Sequence, residues 1–405
     1  MSRPVRTLLF STLYPSSERP NHGIFVQTRL RELLKQPGVH TRVVAPVPWF
    51  YSTDARHGQR AAMARTPRQE LWNGIDVQHP RYALVPKVGM TIAPLSLALG
   101  ARPAVRQLLS EGFDFDLIDA HYYYPDGVAA ALLAHWFAKP FVVTARGSDV
   151  NLIGEYLLPR QMMRRTAMCA HASIAVSKAL AQRLLALGAP QASVQVLPNG
   201  VDGTQFFPVA QAQARKATAL QGYPVLLSVG NLLPVKRHQW VIEAFAQLRQ
   251  RHPDAQLAIV GGGPLQGELR DCAARLGVAT AVVFAGAVPQ DELRQWYSAA
   301  DLLVLASSRE GWPNVLLEAM SCGTPVLASR VGGVPEIIQH ADSGLMFDGA
   351  SPASLRDQLA LALSLPWDRD CIRRRASAMG WQQTSAGQLA LFESIATAPR
   401  RWTHA

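Results

Sequence analysis

Short β-branched or apolar runs alternate with longer segments of helical period along nearly the whole chain. Runs at 7–10, 42–45, 117–120, 141–144, 173–175 and 194–197 predict buried strands in the first half. Runs at 225–229, 256–260, 282–285, 302–305, 326–328 and 344–347 predict six more in the second. Helical patterns lie between them. In 238–252, Val241, Phe245 and Leu248 recur at i, i+4 and i+7. In 264–277, Leu265, Leu269 and Leu276 mark an apolar side and Gly277 supplies a C-cap. Strands alternating with helices imply parallel sheets covered on both faces. The expected fold class is α/β, with two doubly wound, Rossmann-like domains facing a cleft and ligands at the carboxyl ends of the strands. The break is expected within 206–221, which has few buried-strand features. That gives domains at 1–207 and 208–375. Residues 376–405 form a last helix and tail returning to the first domain, with Trp381, Leu389 and Phe392 on its apolar side. Residues 52–72 are polar and basic with weak periodicity, and read as a loop, either over the cleft or simply on the surface.

Composition changes this picture little. A chain of 405 residues suits two or three domains. Its 48% hydrophobic and 17% charged residues exclude wholesale disorder. Cys169, Cys272, Cys322 and Cys371 form no C-x-x-C pair, which argues against a disulfide framework or zinc cluster and fits a reducing cytoplasm. The first apolar run, within 6–12, reads as a buried strand instead of a secretory signal. The stretch 90–101, interrupted by Pro94 and Gly100, is too short to cross a bilayer but long enough to lie on one.

Charge changes it more. The net charge is +11. Residues 1–203 hold 22 Lys and Arg against 13 acids, and the remainder holds 18 against 16. The basicity belongs to the first half, which suits an anionic surface or substrate, or serves solubility alone. No helix-turn-helix, RNP or zinc-finger pattern accompanies it, so nucleic acid is not the expected partner.

The densest chemistry lies in 307–325, SSREGWPNVLLEAMSCGTP, directly after a predicted buried strand. Pro313 suits a first helical turn, and Gly323 with Pro325 ends the helix. The amides of residues 312–316 would then point out of a helix N-terminus and receive an anion. Glu310 and Glu318 flank it. Carboxylates accept hydrogen bonds from hydroxyls, so a phosphate site between two acids suits a nucleoside diphosphate sugar. A capped helix with one surface and one half-buried glutamate satisfies the same spacing. Two other nucleotide folds fail. Gly261-Gly-Gly263 is followed by Gln266, which breaks G-x-G-x-x-G, and no G-x-x-x-x-G-K-[ST] occurs.

The segment from Glu310 to Glu318 resembles the E-x7-E signature of the retaining glycosyltransferase family four, which has the GT-B fold. Further motifs follow the family's order: Val196–Asp202 with Phe207-Pro208, the loop 229–236, the two loops 259–265 and 284–288, and 331–336. The resemblance runs from about residue 6 to 396. It implies that Glu318 holds the ribose hydroxyls, Glu310 the donor sugar, and Lys236 the diphosphate. Gly230, Asn231, Arg237, Gly262, Gly263, Pro264 and Val288, with Gly311, Trp312, Pro313, Asn314 and Val315, would complete the donor site. An arginine usually stands at the position of Asn231, so a second cation is missing unless Arg237 replaces it. His121 is placed near the donor sugar. Gly23, Arg146, Asp149 and Asn199 are placed on the acceptor side or in the cleft, with Arg146 where relatives often have histidine. Asp149 also suits a helix cap.

The resemblance implies sugar transfer with retention, without metal or cofactor, from a nucleotide diphosphate sugar, UDP-sugar by default. The expected acceptor is lipid-linked or saccharide, in envelope or exopolysaccharide synthesis. The expected location is cytoplasmic, with peripheral contact to anionic membrane through 90–101 and the helix carrying Arg160 and Arg164-Arg165. A non-catalytic nucleotide-sugar binder and a glycogen- or sucrose-synthase-like transferase are the alternatives.

Overall fold

The computed structural model describes residues 3–84 and 89–398. Sixteen strands form in the described residues, and the chain divides into two compact units, 1–198 with 382–405, and 199–381.

The first unit holds β1 (Val5–Phe10), β2 (Val39–Val44), β3 (Val47–Pro48), β4 (Gln69–Trp72), β5 (Ile75–Gln78) and β6 (Arg81–Tyr82), then β7 (Leu117–His121), β8 (Phe141–Ala145), β9 (Ala172–Ala175) and β10 (Val194–Val196). Eight of these form one sheet in the order β10-β9-β8-β7-β1-β2-β5-β4, and β3 pairs with β6. The inner strands β7 and β8 are buried at every position, as strands covered on both faces must be. The order reverses between β1 and β7, so the carboxyl ends of those two strands flank a switch point.

The second unit holds β11 (Val225–Val229), β12 (Gln256–Val260), β13 (Val282–Gly286), β14 (Leu302–Leu305), β15 (Val326–Ser329) and β16 (Gly344–Phe347). Their order is β13-β12-β11-β14-β15-β16, all parallel, which is the doubly wound 3-2-1-4-5-6 arrangement with its switch point between β11 and β14. The expected α/β class with two Rossmann-like sheets is present.

Four expectations need correction. The sheet of the first unit is not wholly parallel, because β4 and β5 form an antiparallel hairpin at its edge. Its turn is Asn73-Gly74, both at positive φ, between apolar residues; that pair is the signal the periodicity reading passed over. Residues 52–72 are therefore not a plain loop: they contain a helix, Gln59–Arg65, anchored by buried Ala61, and all of β4. Within 206–221 lies the helix Gln211–Thr218, and Phe206, Ala214 and Leu220 sit in the core of the second unit. The division consequently falls after Pro198, ahead of 207.

The terminal helix expected from 376 begins at 381 instead, as Trp381–Thr397, and residues 376 and 377 end a separate helix, Arg369–Ser377. At the break, Val201 donates to the carbonyl of Met379 at 3.0 Å and pairs with Gly380. The second helix packs Leu391 and Phe392 against Val5, Leu33, Val39 and Leu117 of the first unit. The expected tail at 399–405 lies outside the described residues.

Candidate active site

In the second unit, the loops at the switch point are tied to one another. Ser308 in the segment after β14 donates its amide to the carbonyl of Val235 at 2.8 Å. Val235 lies in the turn Pro234–Lys236 that follows β11. This bond sets two side chains 74 positions apart into contact: Lys236 Nζ donates to Glu310 Oε1 at 2.7 Å. The lysine is 23% exposed and the carboxylate 9%, so the pair is largely shielded from water and only weakly screened. Gly332 presses on the backbone beneath it. Its φ is +51°, and a Cβ there would lie 1.8 Å from the carbonyl oxygen of Glu310. Only glycine fits this approach.

The neighbouring loops are joined in the same way. Gly230 donates to Val260 O and Leu232 to Gly262 O, both at 2.9 Å, and Leu265 to Leu232 O at 3.2 Å. Gly230, Gly262, Gly263 and Pro264 thus form one hydrogen-bonded pair of loops at the ends of β11 and β12. Val288, past β13, packs on the unit's core. Asn231 is exposed in the segment between β11 and the turn that carries Lys236. Arg237 does not take the place of a second cation next to it: its guanidinium stacks 4.2 Å from the Trp240 ring and donates to the carbonyl of Gly349.

The helix Asn314–Ser321 begins after Pro313, and Gly323 follows its end at φ +77°. Its first-turn amides lack intrahelical acceptors and collect the positive end of the helix dipole. One expected member leaves this set, because the amide of Leu316 donates to Pro313 O at 3.1 Å. Gly311 is buried and Trp312 half-buried against the core, while Asn199 Nδ2 donates to Asn314 Oδ1 at 3.2 Å.

Glu318, on the same helix, is 9% exposed. Tyr297, fully buried, donates its hydroxyl to Glu318 Oε2 at 2.7 Å. No cation pairs with this carboxylate among the described residues. Burial pushes its pKa up to about 7, against the opposing pull of the phenol. No feature of the sequence pointed to Tyr297.

In the first unit the singled-out residues form a different construction. His121, at the end of β7, is 1% exposed, and both of its ring nitrogens are engaged. Nε2 contacts Asp119 Oδ2 at 3.1 Å, and Nδ1 meets the guanidinium of Arg146. Gln388 Nε2 donates to the same Asp119 oxygen at 3.2 Å, and Arg29 Nε donates to Gln388 Oε1 at 2.7 Å. Burial lowers the pKa of His121 to about 4, so the ring is neutral and Nδ1 can accept from Arg146. Arg146 also lies 5.3 Å from the Phe25 ring. Asp149 is fully buried and accepts from the amides of Tyr123 at 2.7 Å and Gly147 at 2.8 Å, so it orders backbone. Gly23 begins the helix Ile24–Leu34 at φ +64°, where a Cβ would strike Leu13 O at 2.3 Å. Gly23, His121 and Arg146 therefore gather beside the switch point of β1 and β7. No motif in the sequence singles out Gln388 or Arg29.

A doubly wound nucleotide-type fold with this site defines a class, and comparison with known proteins specifies it. The model for glycosyl transferases group 1 matches residues 210–379, and that for glycosyltransferase family 4 matches 28–205. N-acetyl-alpha-D-glucosaminyl L-malate synthase of Bacillus anthracis is 30% identical over 65% of this chain and 69% of its own. A GDP-mannose-dependent alpha-(1-6)-phosphatidylinositol monomannoside mannosyltransferase of Mycolicibacterium smegmatis is 35% identical over 60% of this chain and 64% of its own. Among solved structures, HepE of Anabaena in complex with UDP and glucose superposes with a TM-score of 0.71 at 20% identity, over 98% of this chain and 100% of that one. The chain belongs to glycosyltransferase family 4, and its fold is GT-B.

Proposed function

We propose that this glycosyltransferase is a retaining, metal-independent hexosyltransferase. It moves a sugar from a nucleotide diphosphate sugar to a lipid-linked or saccharide acceptor in cell-envelope or exopolysaccharide synthesis. The observation that carries this reading is the shielded contact of Lys236 with Glu310 beside the N-terminus of Asn314–Ser321. A flexible ammonium follows a phosphate as it departs, and the first-turn amides receive the charge that builds on it. Glu310 accepts from sugar hydroxyls near the reacting carbon, and Glu318 from the ribose. The C1–O bond to the diphosphate breaks, an oxocarbenium-like state forms, and the acceptor hydroxyl attacks from the same face. Its proton passes to the departing phosphate oxygen. UDP is the first choice of base, supported by the bound UDP of HepE; the GDP-mannose dependence of the mycobacterial relative makes GDP the second.

The surface of the first unit supports peripheral contact with an anionic membrane at its cytoplasmic face. Ile92, Leu95 and Leu99 stand 40–50% exposed on one side of the helix Gly89–Ser110. That helix packs on Leu157–Cys169, where Leu157 and Leu158 are exposed beside Arg160, Arg164 and Arg165. Met163 is fully buried, so the apolar contribution comes from the leucines. No helix among the described residues is long and apolar enough to cross a membrane.

A non-catalytic nucleotide-sugar binder is favoured by one observation: with Asn231 neutral and Arg237 held by Gly349, Lys236 is the cation of the loop. The deciding test is a thermal-shift panel of UDP, GDP, ADP and CMP with and without EDTA, followed by turnover of the sugar nucleotide that binds. Binding and transfer that survive EDTA, with an α-linked product from an α-linked donor, support the proposal. Binding without transfer selects the second reading.

A further inference from the structure

Glu318 is an unusual carboxylate for its depth. It is 9% exposed, pairs with no cation among the described residues, and receives one protein hydrogen bond, from Tyr297 to Oε2. A buried charge held so sparsely is costly unless a ligand completes its shell. The phenol that holds it is itself held firmly. The carbonyl of Tyr297 accepts from Thr324 Oγ1 at 2.6 Å and from the amide of Ala300 at 3.2 Å. Its ring meets Phe206 edge-on at 6.0 Å, and the carbonyl of Phe206 accepts from Ser321 Oγ at 2.7 Å. Ser321 closes the helix that carries Glu318. Tyr297 lies in the helix Leu293–Ala299, which is thus tied to Asn314–Ser321 around one oxygen of one carboxylate, while Oε1 accepts from no protein donor among the described residues.

We infer that Tyr297 is a positioning residue for the donor nucleotide: by occupying Oε2 it fixes the Glu318 carboxylate so that Oε1 is presented to the vicinal diol of a ribose. The inference rests on the reading of Glu318 as the ribose-binding acid. It assigns the recognition of ribonucleotides over their deoxy counterparts to a pair of residues, one of which never touches the ligand. The titratable groups facing Glu318 are Tyr297 and Cys322, and burial raises the pKa of both, so both stay neutral near pH 7. The phenol favours the charged carboxylate, so its removal moves the titration of Glu318 upward.

The test measures dissociation constants of UDP and GDP, and of their 2′,3′-dideoxy analogues, for wild type, Tyr297→Phe and Glu318→Gln between pH 6 and 9. In the wild type the ribonucleotide that binds should exceed its dideoxy analogue by about tenfold or more, the scale of a hydrogen bond to a charged group. Tyr297→Phe should lose most of that ratio, leave the affinity of the dideoxy analogue unchanged, and move the rise in ribonucleotide affinity to higher pH. Equal weakening of both nucleotides, or no change in either, overturns the inference and leaves Tyr297 a packing residue. If Glu318→Gln abolishes the ratio while Tyr297→Phe preserves it, the ribose reading stands and the role of Tyr297 falls. If Glu318→Gln leaves the ratio intact, both fall. Far-UV circular dichroism of each variant separates these outcomes from misfolding.

Discussion

The two switch points of this protein are built from the same residue types in opposite ways. In the first unit, His121, Asp119, Gln388, Arg29 and Arg146 form one continuous, largely buried hydrogen-bonded series, in which Asp119 Oδ2 is engaged twice while Oδ1 has no partner among the described residues. In the second, Lys236 and Glu310 form an isolated pair, and Glu318 rests on a single phenol. A charge held by several side chains is fixed in place by the fold. Charge that lies buried with too few is prepared for a ligand. The motifs name residues of both kinds; the number of partners is what differs between them.

The strongest way to break this comparison is Lys236→Ala. Loss of one preorganised donor to the leaving group should lower kcat by about 10²- to 10³-fold; the urea midpoint should fall as well, because Glu310 is left without its partner, so kcat is the deciding readout. A change in stability without a change in kcat would place Lys236 with the architectural residues. Arg29→Ala should act on stability alone. It strands the acceptors on Gln388 and Leu197 in the interior and should cost about 3 kcal/mol, read as a lowered urea midpoint, with nucleotide affinity retained. Gly332→Ala should show both effects, since the backbone under Glu310 must move: donor affinity and stability should fall together, each by about 1–3 kcal/mol.

A pH titration sharpens the contrast. Glu318 has its pKa raised to about 7, so ribonucleotide affinity should rise from pH 6 to 8 and then level off. The sign for stability is opposite. The folded state binds the Glu318 proton more tightly than the unfolded chain, so this group's contribution declines as pH climbs from the ordinary carboxylate range to 7. His121, lowered to about 4, should show no imidazole titration by NMR between pH 6 and 8, and its contribution to stability is lost as pH falls from about 6.5 toward 4. The smallest effect is expected from Asn231→Arg. An added guanidinium in an exposed loop should strengthen UDP binding only a few-fold, by calorimetry, with the gain fading in high salt.

Periodicity located the twelve main strands to within a few residues, because buried parallel strands are continuous apolar runs bounded by loops. It missed β3 to β6, which are short and half-exposed, and for the hairpin among them the Asn-Gly turn was the better signal. It also read Gln211–Thr218 as linker, since only Ala214 and Thr218 of that helix are buried. The residues proposed for the donor site come from the order of motifs. Who holds whom was not legible there. Tyr297 lies 21 positions from Glu318, Lys236 74 from Glu310, and Gln388 269 from Asp119. Such pairs are set by how sheets and helices stack, which no local spacing records. The direction of Arg237 was hidden for the same reason: its partner Gly349 belongs to a loop 112 positions away.

The helix Trp381–Thr397 carries Gln388 and Phe392 into a unit whose other residues end at 198. During synthesis, the first unit therefore leaves the ribosome lacking part of its own interior. It must wait, with Asp119 and the pocket for Phe392 uncovered, while all of 199–381 is made. The order of translation thus places the completion of the first-made half last.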